Sequence, residues 1–424
     1  MEERRTIISC PDPPSRIGRG GGFSRTYRIR VVTPLFGGGT VPGKNDPVTL
    51  IRGSSIRGQL RFWWRASRGA ACEDVAELRD RETGIFGSAG EASPTQVRVR
   101  VVEVGSQAQW QQPAYALFPF RGDSRRSPDG PREPAIATWS AAFDLTVTCL
   151  DQAKLENEIE PALWAWVNFG GLGARTRRGC GSLFCEQFSP PQGAKVHDWY
   201  ASCLKRYGLR LPDEPRSWPT LPQRLLVKEK DVETQDPLRA WQHVVELLQK
   251  FRQGPGVGRD PAKRSGDFPG RSRWPEANSL RYLNNRALRR SVTELKLGFP
   301  RAEFGLPIVF HFKEVSGRWP EPQDLTLYPA DGQRMASPLI LKALAVGGGG
   351  AAQVIVPLKV EPVKAVRLES KNPQVMAALP KDPFRRDTIL RPDLKGSESP
   401  LRFSPKGSAV EAFLNFARQE GGFR

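Results

Sequence analysis

The sequence predicts an α+β fold composed of two ferredoxin-like domains, with enlarged loops and a helical, basic insertion. Residues 25–190 contain predicted elements in the order strand, helix, strand, strand, helix, strand, which is the split βαβ pattern. The last third of the 424-residue chain returns to short apolar strands, as a second, degenerate copy of this fold would. With 38% hydrophobic residues, 11 Trp and 21 Phe, the chain can fill cores of this size.

The first domain is predicted from alternating and β-branched runs. Its four strands are expected at Tyr27–Leu35, Val97–Val104, Ala137–Leu150 and Ser182–Phe188. A helix follows the first strand, with Ser54 or Ser55 as its N-cap and an end near Gly69. A second helix is predicted at Leu155–Asn168, where apolar residues form one stripe. This βαββαβ arrangement is RRM-like and recurs in RNA-binding modules.

The other segments are assigned from composition and periodicity. Residues 1–24 are expected to be loosely ordered, and residues 191–236 are expected to form a connector. The second domain, residues 237–424, begins with an amphipathic helix at Pro237–Arg252 and carries the basic stretch Gly254–Arg273 in its insertion. Its later elements are helices at Asn278–Arg290 and Ser408–Arg418 and strands at Leu306–Phe312, Leu325–Tyr328, Leu339–Ala345 and Gln353–Val360.

The charge of the chain indicates a polyanionic partner. Its 64 Lys and Arg exceed its 45 Asp and Glu by 19, and its isoelectric point is about 10. Because the guanidinium group binds phosphate bidentately and stacks on bases, the excess of arginine in the basic segments favours RNA over a lipid surface. A basic, ribosome-like or merely soluble protein is the alternative.

No segment predicts membrane insertion or secretion, and no cofactor is expected. No apolar run approaches the roughly 20 residues that a membrane span requires. The N-terminus lacks the apolar core of a signal peptide, so a cytoplasmic location is expected. The six cysteines form no CxxC pair, so they are expected to be free thiols and not metal ligands.

Ile51–Ala66 is the first of two candidate RNA-binding segments. Five arginines (Arg52, Arg57, Arg61, Arg65 and Arg68) and no acidic residue lie between Pro47 and Cys72. On a helix the last four share one face, where their guanidinium groups can follow successive phosphates. Trp64 lies beside that face and could stack on a base, whereas Trp63 is expected in the core. Ser54 and Ser55 open the helix, where free backbone amides favour an anion.

Lys44, in the loop before this helix, is expected to contact a phosphate. Asp46, in the same loop, is a weak candidate for assisting RNA cleavage. The alternative for the whole segment is a structural helix whose arginines pair with acidic residues elsewhere in the fold.

Gly170–Gly181 is the second candidate. Five glycines allow close approach of RNA, and Arg175, Arg177 and Arg178 supply charge. No GK[ST] sequence closes the loop, and its glycines do not match the dinucleotide-binding fingerprint. A flexible surface loop without a ligand is the alternative.

The sequence offers no clear catalytic group. Its three histidines, His197, His243 and His311, lie outside both candidate segments, and the last two are expected to be structural. No HExxH motif, metal-ligand cluster or nucleophile elbow is present. The two segments are therefore expected to hold RNA and not to cut it.

Four motifs, in order along the chain, together resemble the RAMP superfamily of CRISPR–Cas proteins, specifically the first-numbered RAMP subunits of type III-B Cmr effector complexes. The motifs are TPLFGGG (Thr33–Gly39), IRGSSIRGQLRFWWRA (Ile51–Ala66), NFGGLGARTRRGCGSL (Asn168–Leu183) and RSRWPEANSLR (Arg271–Arg281). The third corresponds to the glycine-rich loop that is typical of RAMP proteins.

This resemblance implies two ferredoxin-like domains in a subunit without nuclease activity, in a complex that serves antiviral defence. The implied partners are the 3′ part of crRNA, the matching end of target RNA and other RAMP subunits. The implied RNA contacts are Arg52, Arg57, Arg61, Arg65, Arg175, Arg177 and Arg178, with Arg271 and Arg273 in the fourth motif. A RAMP-type, metal-independent endoribonuclease that processes guide RNA stays open as an alternative, as does a purely structural subunit.

Overall fold

The computed structural model describes residues 22–37, 39, 43–46, 48–120, 122, 133–228, 235–262, 270–312, 321–394 and 398–424. These residues form a mixed α/β structure in which all paired strands are antiparallel. Most of the predicted loose segment 1–24 lies outside the described residues, and Phe23 and Ser24 already belong to a strand. Within the described part, no helix has the length and apolar character needed to cross a membrane.

The N-terminal half carries the elements that position the glycine-rich loop. Its described strands are β1 (Phe23–Val31), β2 (Gln96–Glu103), β3 (Ser106–Gln109), β4 (Ile136–Trp139), β5 (Ala142–Cys149) and β6 (Leu183–Phe184). Its described helices are α1 (Gly53–Ala66), α2 (Val75–Phe86), α3 (Gln152–Lys154), α4 (Glu160–Phe169) and α5 (Val196–Arg206). One π-helical turn, Leu155–Ile159, joins α3 to α4.

The first sheet has the order β2–β5–β1–β6, and β3 and β4 form a separate ribbon. Tyr27 lies opposite Leu145 in the register of β1 and β5, so alternate residues of both strands point into one core. Helices α1 and α4 pack against each other over this core. All ten residues of α4 are buried, which explains why its sequence is almost continuously apolar.

The C-terminal half is divided between two further sheets. Its described strands are β7 (Leu226–Lys228), β8 (Ile308–Phe310), β9 (Leu325–Pro329), β10 (Leu339–Ala345), β11 (Ala351–Pro357), β12 (Ala365–Ser370) and β13 (Phe384–Arg385). Its described helices are α6 (Pro237–Gln253), α7 (Pro275–Ala287), α8 (Pro373–Ala378), α9 (Arg386–Ile389) and α10 (Ala409–Gly421).

The second sheet has the order β10–β11–β7, and α6 packs across β10 and β11. Val227 of β7 also exchanges two backbone hydrogen bonds of 3.0 Å with Arg424, so the last residue of the chain extends this sheet by one further pair. The third sheet, β13–β12–β9–β8, has its own core, in which Leu280 of α7 packs with Leu327 and Val366.

Three of the strands predicted for the first domain differ from the structure by more than one residue, for local reasons. Strand β1 begins four residues before the predicted Tyr27 and ends at Val31. The strand predicted over Ala137–Leu150 is split in two near Ser140, whose φ of 59° interrupts the extended chain. Strand β6 is short because Cys185 begins a turn, in which its carbonyl accepts hydrogen bonds from the amides of Phe188 and Ser189.

Two helices of the N-terminal half were not predicted. Residues 191–236, expected to be a connector, contain α5 and β7, and Tyr200 of α5 is buried with its ring 5.8 Å from that of Trp164. The sequence pattern does not predict helix α2, because the polar residue Glu82 interrupts its apolar stripe. That carboxylate is buried, and it determines what the arginines of α1 do.

Candidate nucleic-acid interface

The arginines of helix α1 face helix α2. Arg61 Nε and Arg65 Nη1 both donate to Glu82 Oε1, at 2.5 and 2.7 Å. The Glu82 side chain is only 6% exposed, and each arginine side chain is 33% exposed. Two of the predicted RNA contacts therefore form a charge-assisted network with one buried carboxylate. This geometry favours the alternative in which the arginine ladder is structural.

The other arginines of the first segment also have partners within the chain. Arg57 donates to the Phe86 carbonyl, Arg68 donates to the Tyr207 carbonyl at 3.2 Å, and Arg52 pairs with Asp46 at 2.6 Å. The Asp46 carboxylate also accepts two backbone amides, and these bonds together with Arg52 hold its pKa well below the usual range. It is thus an ionised loop anchor and a poor general base.

The prediction that Trp64 stacks on a base is wrong for this structure. Trp64 has no exposed surface, and its indole Nε1 donates to Glu158 Oε2 at 2.7 Å. The prediction that Trp63 lies in the core is confirmed, since only 2% of it is exposed. Two adjacent tryptophans point into one core because α1 packs on two sides, against the sheet and against α4.

The start of α1 also differs from its predicted form. Gly53 is the first helical residue and Arg52 is the N-cap, so Ser54 and Ser55 lie in the first turn and do not cap the helix. Both serines are exposed, and Lys44 is exposed in the preceding loop. This first turn has no acidic residue, so an anion could still approach it.

The two arginines of the fourth motif differ in environment. Arg271 is exposed. Arg273 is only 14% exposed, and it donates to Asp260 at 2.9 Å and to the Gly256 carbonyl at 2.9 Å. Arg273 therefore holds its own loop together.

The glycine-rich loop Gly170–Gly181 is fixed between the two halves of the chain. The Gly179 carbonyl accepts a 2.6 Å hydrogen bond from Thr33 Oγ1, and the Arg178 carbonyl accepts one of 2.6 Å from Trp241 Nε1. Gly179 has a φ of +79°, and a Cβ there would lie 2.6 Å from Trp241 Cδ1. The loop needs glycine at this position for both reasons, and it is not a free surface loop.

The three arginines of this loop lie in a different electrostatic environment from those of α1. Arg175 Nε donates to the Ala116 carbonyl at 3.1 Å, and Arg177 donates to the Ser337 carbonyl. Burial lowers the pKa of Arg177, and burial together with nearby arginines lowers that of Arg178 to about 10. Within the described residues, none of the three forms an ion pair with a carboxylate.

Arg252, the last basic residue of α6, adds a fourth charge to this group. Its Nε is buried without a hydrogen-bond partner in the described part of the chain, and its guanidinium lies 5.2 Å from the Phe304 ring centroid. Arg252 was predicted only as the end of an amphipathic helix. The signal that could have identified it was the basic stretch that begins at that point.

These four arginines line one cleft of about 810 Å³ between the glycine-rich loop, α6 and the segment 304–311. We call it the arginine cleft. Its described lining contains no Asp or Glu, but it includes Tyr115, Phe118 and His311. Sequence reasoning did not identify Tyr115 or Phe118, and it expected His311 to be structural. Among the described residues, the cleft therefore combines arginines that have no carboxylate beside them in the lining with aromatic side chains, a combination typical of sites that bind single-stranded nucleic acid.

No group of three or more His, Cys, Asp or Glu side chains in the described ranges is arranged to hold a metal ion. His311 lies at the cleft with Nδ1 2.8 Å from Asp324 Oδ1, and its side chain is 67% exposed. It is the one histidine among the described lining residues.

Part of the chain is similar to a known protein family and to a named relative. Residues 28–184 match the model of the RAMP superfamily. The chain is 25% identical over 181 residues to the protein named CRISPR system Cmr subunit Cmr1-2 of Pyrococcus furiosus, covering 38% of this chain and 94% of that protein.

Two solved structures are also similar in part. The crystal structure of Cmr1 from Pyrococcus furiosus in its apo form gives a TM-score of 0.46 at 16% identity, covering 84% of this chain and 93% of that one. A chain of the type III-B Cmr-beta complex bound to cognate target RNA gives a TM-score of 0.40 at 10% identity, covering 84% and 98%.

Proposed function

We propose that this chain is a non-catalytic RNA-binding subunit of a type III-B CRISPR (Cmr) complex, starting from the match of residues 28–184 to the model of the RAMP superfamily. In this proposal it contacts the 3′ part of crRNA and the matching end of the target RNA, beside other RAMP subunits, in antiviral defence. The similarity to a Pyrococcus furiosus protein that is named as a Cmr subunit supports the assignment.

One observation carries the RNA-binding function: four arginines line the arginine cleft and no carboxylate lines it among the described residues. Arg177, Arg178 and Arg252 are partly buried and Arg175 is exposed. Partly buried cations repel one another and lose hydration, so such a cluster is costly unless an anion enters. The lowered pKa of Arg178 reflects this cost. A phosphodiester backbone supplies the missing negative charge at repeated intervals.

We also propose that both halves are ferredoxin-like. The order β2–β5–β1–β6 supports this for residues 25–190, because the first and third strands of the unit are central. In the second half, β7, α6, β10, β11 and α10 follow in the same sequence, and Arg424 pairs in the place of a fourth strand. The second unit then begins at β7, before residue 237, and the third sheet is built from two insertions, one between α6 and β10 and one between β11 and α10.

The function is tested with a double variant, Arg177→Gln and Arg178→Gln. The measurement is fluorescence anisotropy with single-stranded RNA at several salt concentrations. If the four arginines each neutralise one phosphate, the slope of log affinity against log salt is about −2.8, and the variant reduces it to about −1.4. Arg98→Gln is the control, because Arg98 is an exposed arginine on β2 outside the cleft. Unchanged affinity and slope in the double variant would contradict the proposal.

The position on the guide is tested separately. Photo-crosslinking of the assembled complex, with 4-thiouridine placed at single positions of the crRNA, is expected to label this subunit from the 3′ part only. Labelling confined to the 5′ tag would overturn the assigned position without affecting RNA binding itself.

A specific observation favours one second candidate, the metal-independent endoribonuclease. Asp324 orients the imidazole of His311 at the cleft, since Nδ1 lies 2.8 Å from Asp324 Oδ1, and histidine is the side chain that most often acts in general acid–base catalysis. The test is incubation with repeat-containing RNA in EDTA. Site-specific cleavage that is lost in His311→Ala would establish this activity, and the absence of cleavage by the wild type supports the non-catalytic assignment.

A further inference from the structure

Phe118 breaks the burial pattern of the aromatic residues. It is 71% exposed, whereas every other Phe and Trp whose burial the structure describes is at least partly buried. Leaving a phenylalanine ring in water forgoes about 2 kcal/mol of burial free energy, so such a ring marks an interaction site when it lies in a functional cleft. Phe118 lines the arginine cleft.

The backbone around Phe118 is anchored on both sides. The residues before it, Ala116 and Leu117, are buried, and the Ala116 carbonyl accepts the hydrogen bond of Arg175. Two residues after it, Phe120 stacks on Phe36 with ring centroids 4.5 Å apart and planes at 16°. The neighbours of Phe118 therefore pack into the core, whereas the ring of Phe118 faces the cleft.

We propose that Phe118 is a stacking platform for one unpaired base, whose flanking phosphates bind the arginines of the cleft. This inference rests on the proposed function and narrows its ligand to single-stranded RNA. In a duplex both faces of each base are covered by neighbouring bases, so no face is available to the ring. The phenyl group has no hydrogen-bonding atom, so the platform accepts any base.

The platform is tested by comparing Phe118→Ala with Phe118→Trp. The alanine variant is expected to bind single-stranded RNA about 5- to 100-fold more weakly, the range for loss of one base–aromatic stack, whereas the tryptophan variant retains affinity. The salt slope stays the same in both, since no charge is removed. Val102→Ala is the control, because Val102 lies on β2 outside the cleft lining, is 46% exposed and is not aromatic.

An RNA series with a single abasic nucleotide, moved along the strand, then identifies the stacked base. One position is expected to weaken wild-type binding by the same factor as Phe118→Ala, and that variant is expected to bind the abasic RNA no more weakly than intact RNA. Equal affinities of wild type and Phe118→Ala would overturn the platform.

The two proposals fail in different ways. If the double variant of Arg177 and Arg178 loses binding while Phe118→Ala does not, the platform is rejected and the RNA-binding function stands. If neither substitution affects binding, both are rejected. A thermal unfolding curve for each variant confirms that the exposed substitution at Phe118 leaves the fold intact.

Discussion

The two arginine-rich segments of this chain differ in whether a buried carboxylate compensates their charge. Glu82 accepts hydrogen bonds from Arg61 and Arg65, so the charge of helix α1 is largely satisfied inside the protein. No carboxylate does the same for Arg177 or Arg178 among the described residues. The number of arginines in a segment therefore says less about anion binding than the position of the nearest acidic side chain.

Lys342 is a second residue whose environment is unusual. It lies on β10 with no exposed surface, and its Nζ donates to the Gly170 carbonyl at the start of the glycine-rich loop. In the described part of the chain it has no carboxylate partner. Burial lowers its pKa to about 7, so near neutral pH the folded protein holds this group partly uncharged.

A pH dependence of stability follows from Lys342. Between pH 7 and its unfolded pKa of 10.5, the unfolded chain binds more protons at this lysine than the folded chain does. Its contribution to the free energy of unfolding therefore rises with pH in that interval. The substitution Lys342→Met removes this pH-dependent contribution. The free energy of unfolding of the variant, measured relative to wild type, is therefore expected to fall by about 2 kcal/mol from pH 7 to pH 9.

Urea unfolding of both proteins at pH 7, 8 and 9 measures this difference. The buried thiols, such as Cys180 with its raised pKa, destabilise the fold as the pH rises, but they are present in both proteins and cancel. Lys364→Met is the control, because the Lys364 side chain is 80% exposed. A pH-independent difference between Lys342→Met and wild type would show that Lys342 is not titrating in this range.

At the scale of elements, the glycine-rich loop couples α6 to the first sheet. Trp241 of α6 donates to the Arg178 carbonyl and packs against Gly179, while Thr33, just after β1, binds the Gly179 carbonyl. The arginine cleft thus has a rigid wall, and the positions of its guanidinium groups depend on a loop backbone held by two separate elements.

Gly179→Ala tests this coupling. The added Cβ would lie 2.6 Å from Trp241 Cδ1 and 2.9 Å from the Leu341 carbonyl oxygen, in a backbone with φ of +79°. We expect a loss of more than about 1 kcal/mol of stability and weaker RNA binding, because Arg178 is displaced. Gly58→Ala is the matched control: it lies within α1, has open space at its Cβ, and is expected to stabilise by up to about 1 kcal/mol. Equal effects of the two substitutions on thermal unfolding would contradict the coupling.

At the scale of the whole molecule, local patterns were readable from the sequence and long-range partners were not. Leu339–Ala345 was predicted with the observed bounds because its run is apolar at every position except Lys342. Helix α2 was missed because Glu82 interrupts its apolar stripe. The hydrogen-bond partner of the buried Trp64 is Glu158 in the π-helical turn Leu155–Ile159, almost a hundred residues later in the chain. Likewise, the arginine cleft draws on five separate stretches of the chain, so no single motif contains it.

The two halves also share a core, which limits how the chain can be divided. Ile340 and Leu344 of β10 and Val354 of β11 pack in the same cluster as Trp164 of α4. Cutting at the proposed end of the first domain, after residue 190, would expose this surface and leave Trp164 without Tyr200. Removing one large apolar side chain from a core costs about 2–5 kcal/mol, so removing several exceeds the roughly 5–15 kcal/mol that stabilises a typical domain.

We therefore predict that a fragment of residues 1–190 does not fold cooperatively on its own. Its near-UV circular dichroism is expected to lack the tryptophan signals of the whole chain, and its urea unfolding curve is expected to be broad. Co-expression with residues 191–424 supplies the missing faces of the core and is expected to restore both signals in a stable complex. A sharp, two-state transition for the isolated fragment would contradict the shared core, and would mean that β10 and β11 cover a first domain that is already stable without them.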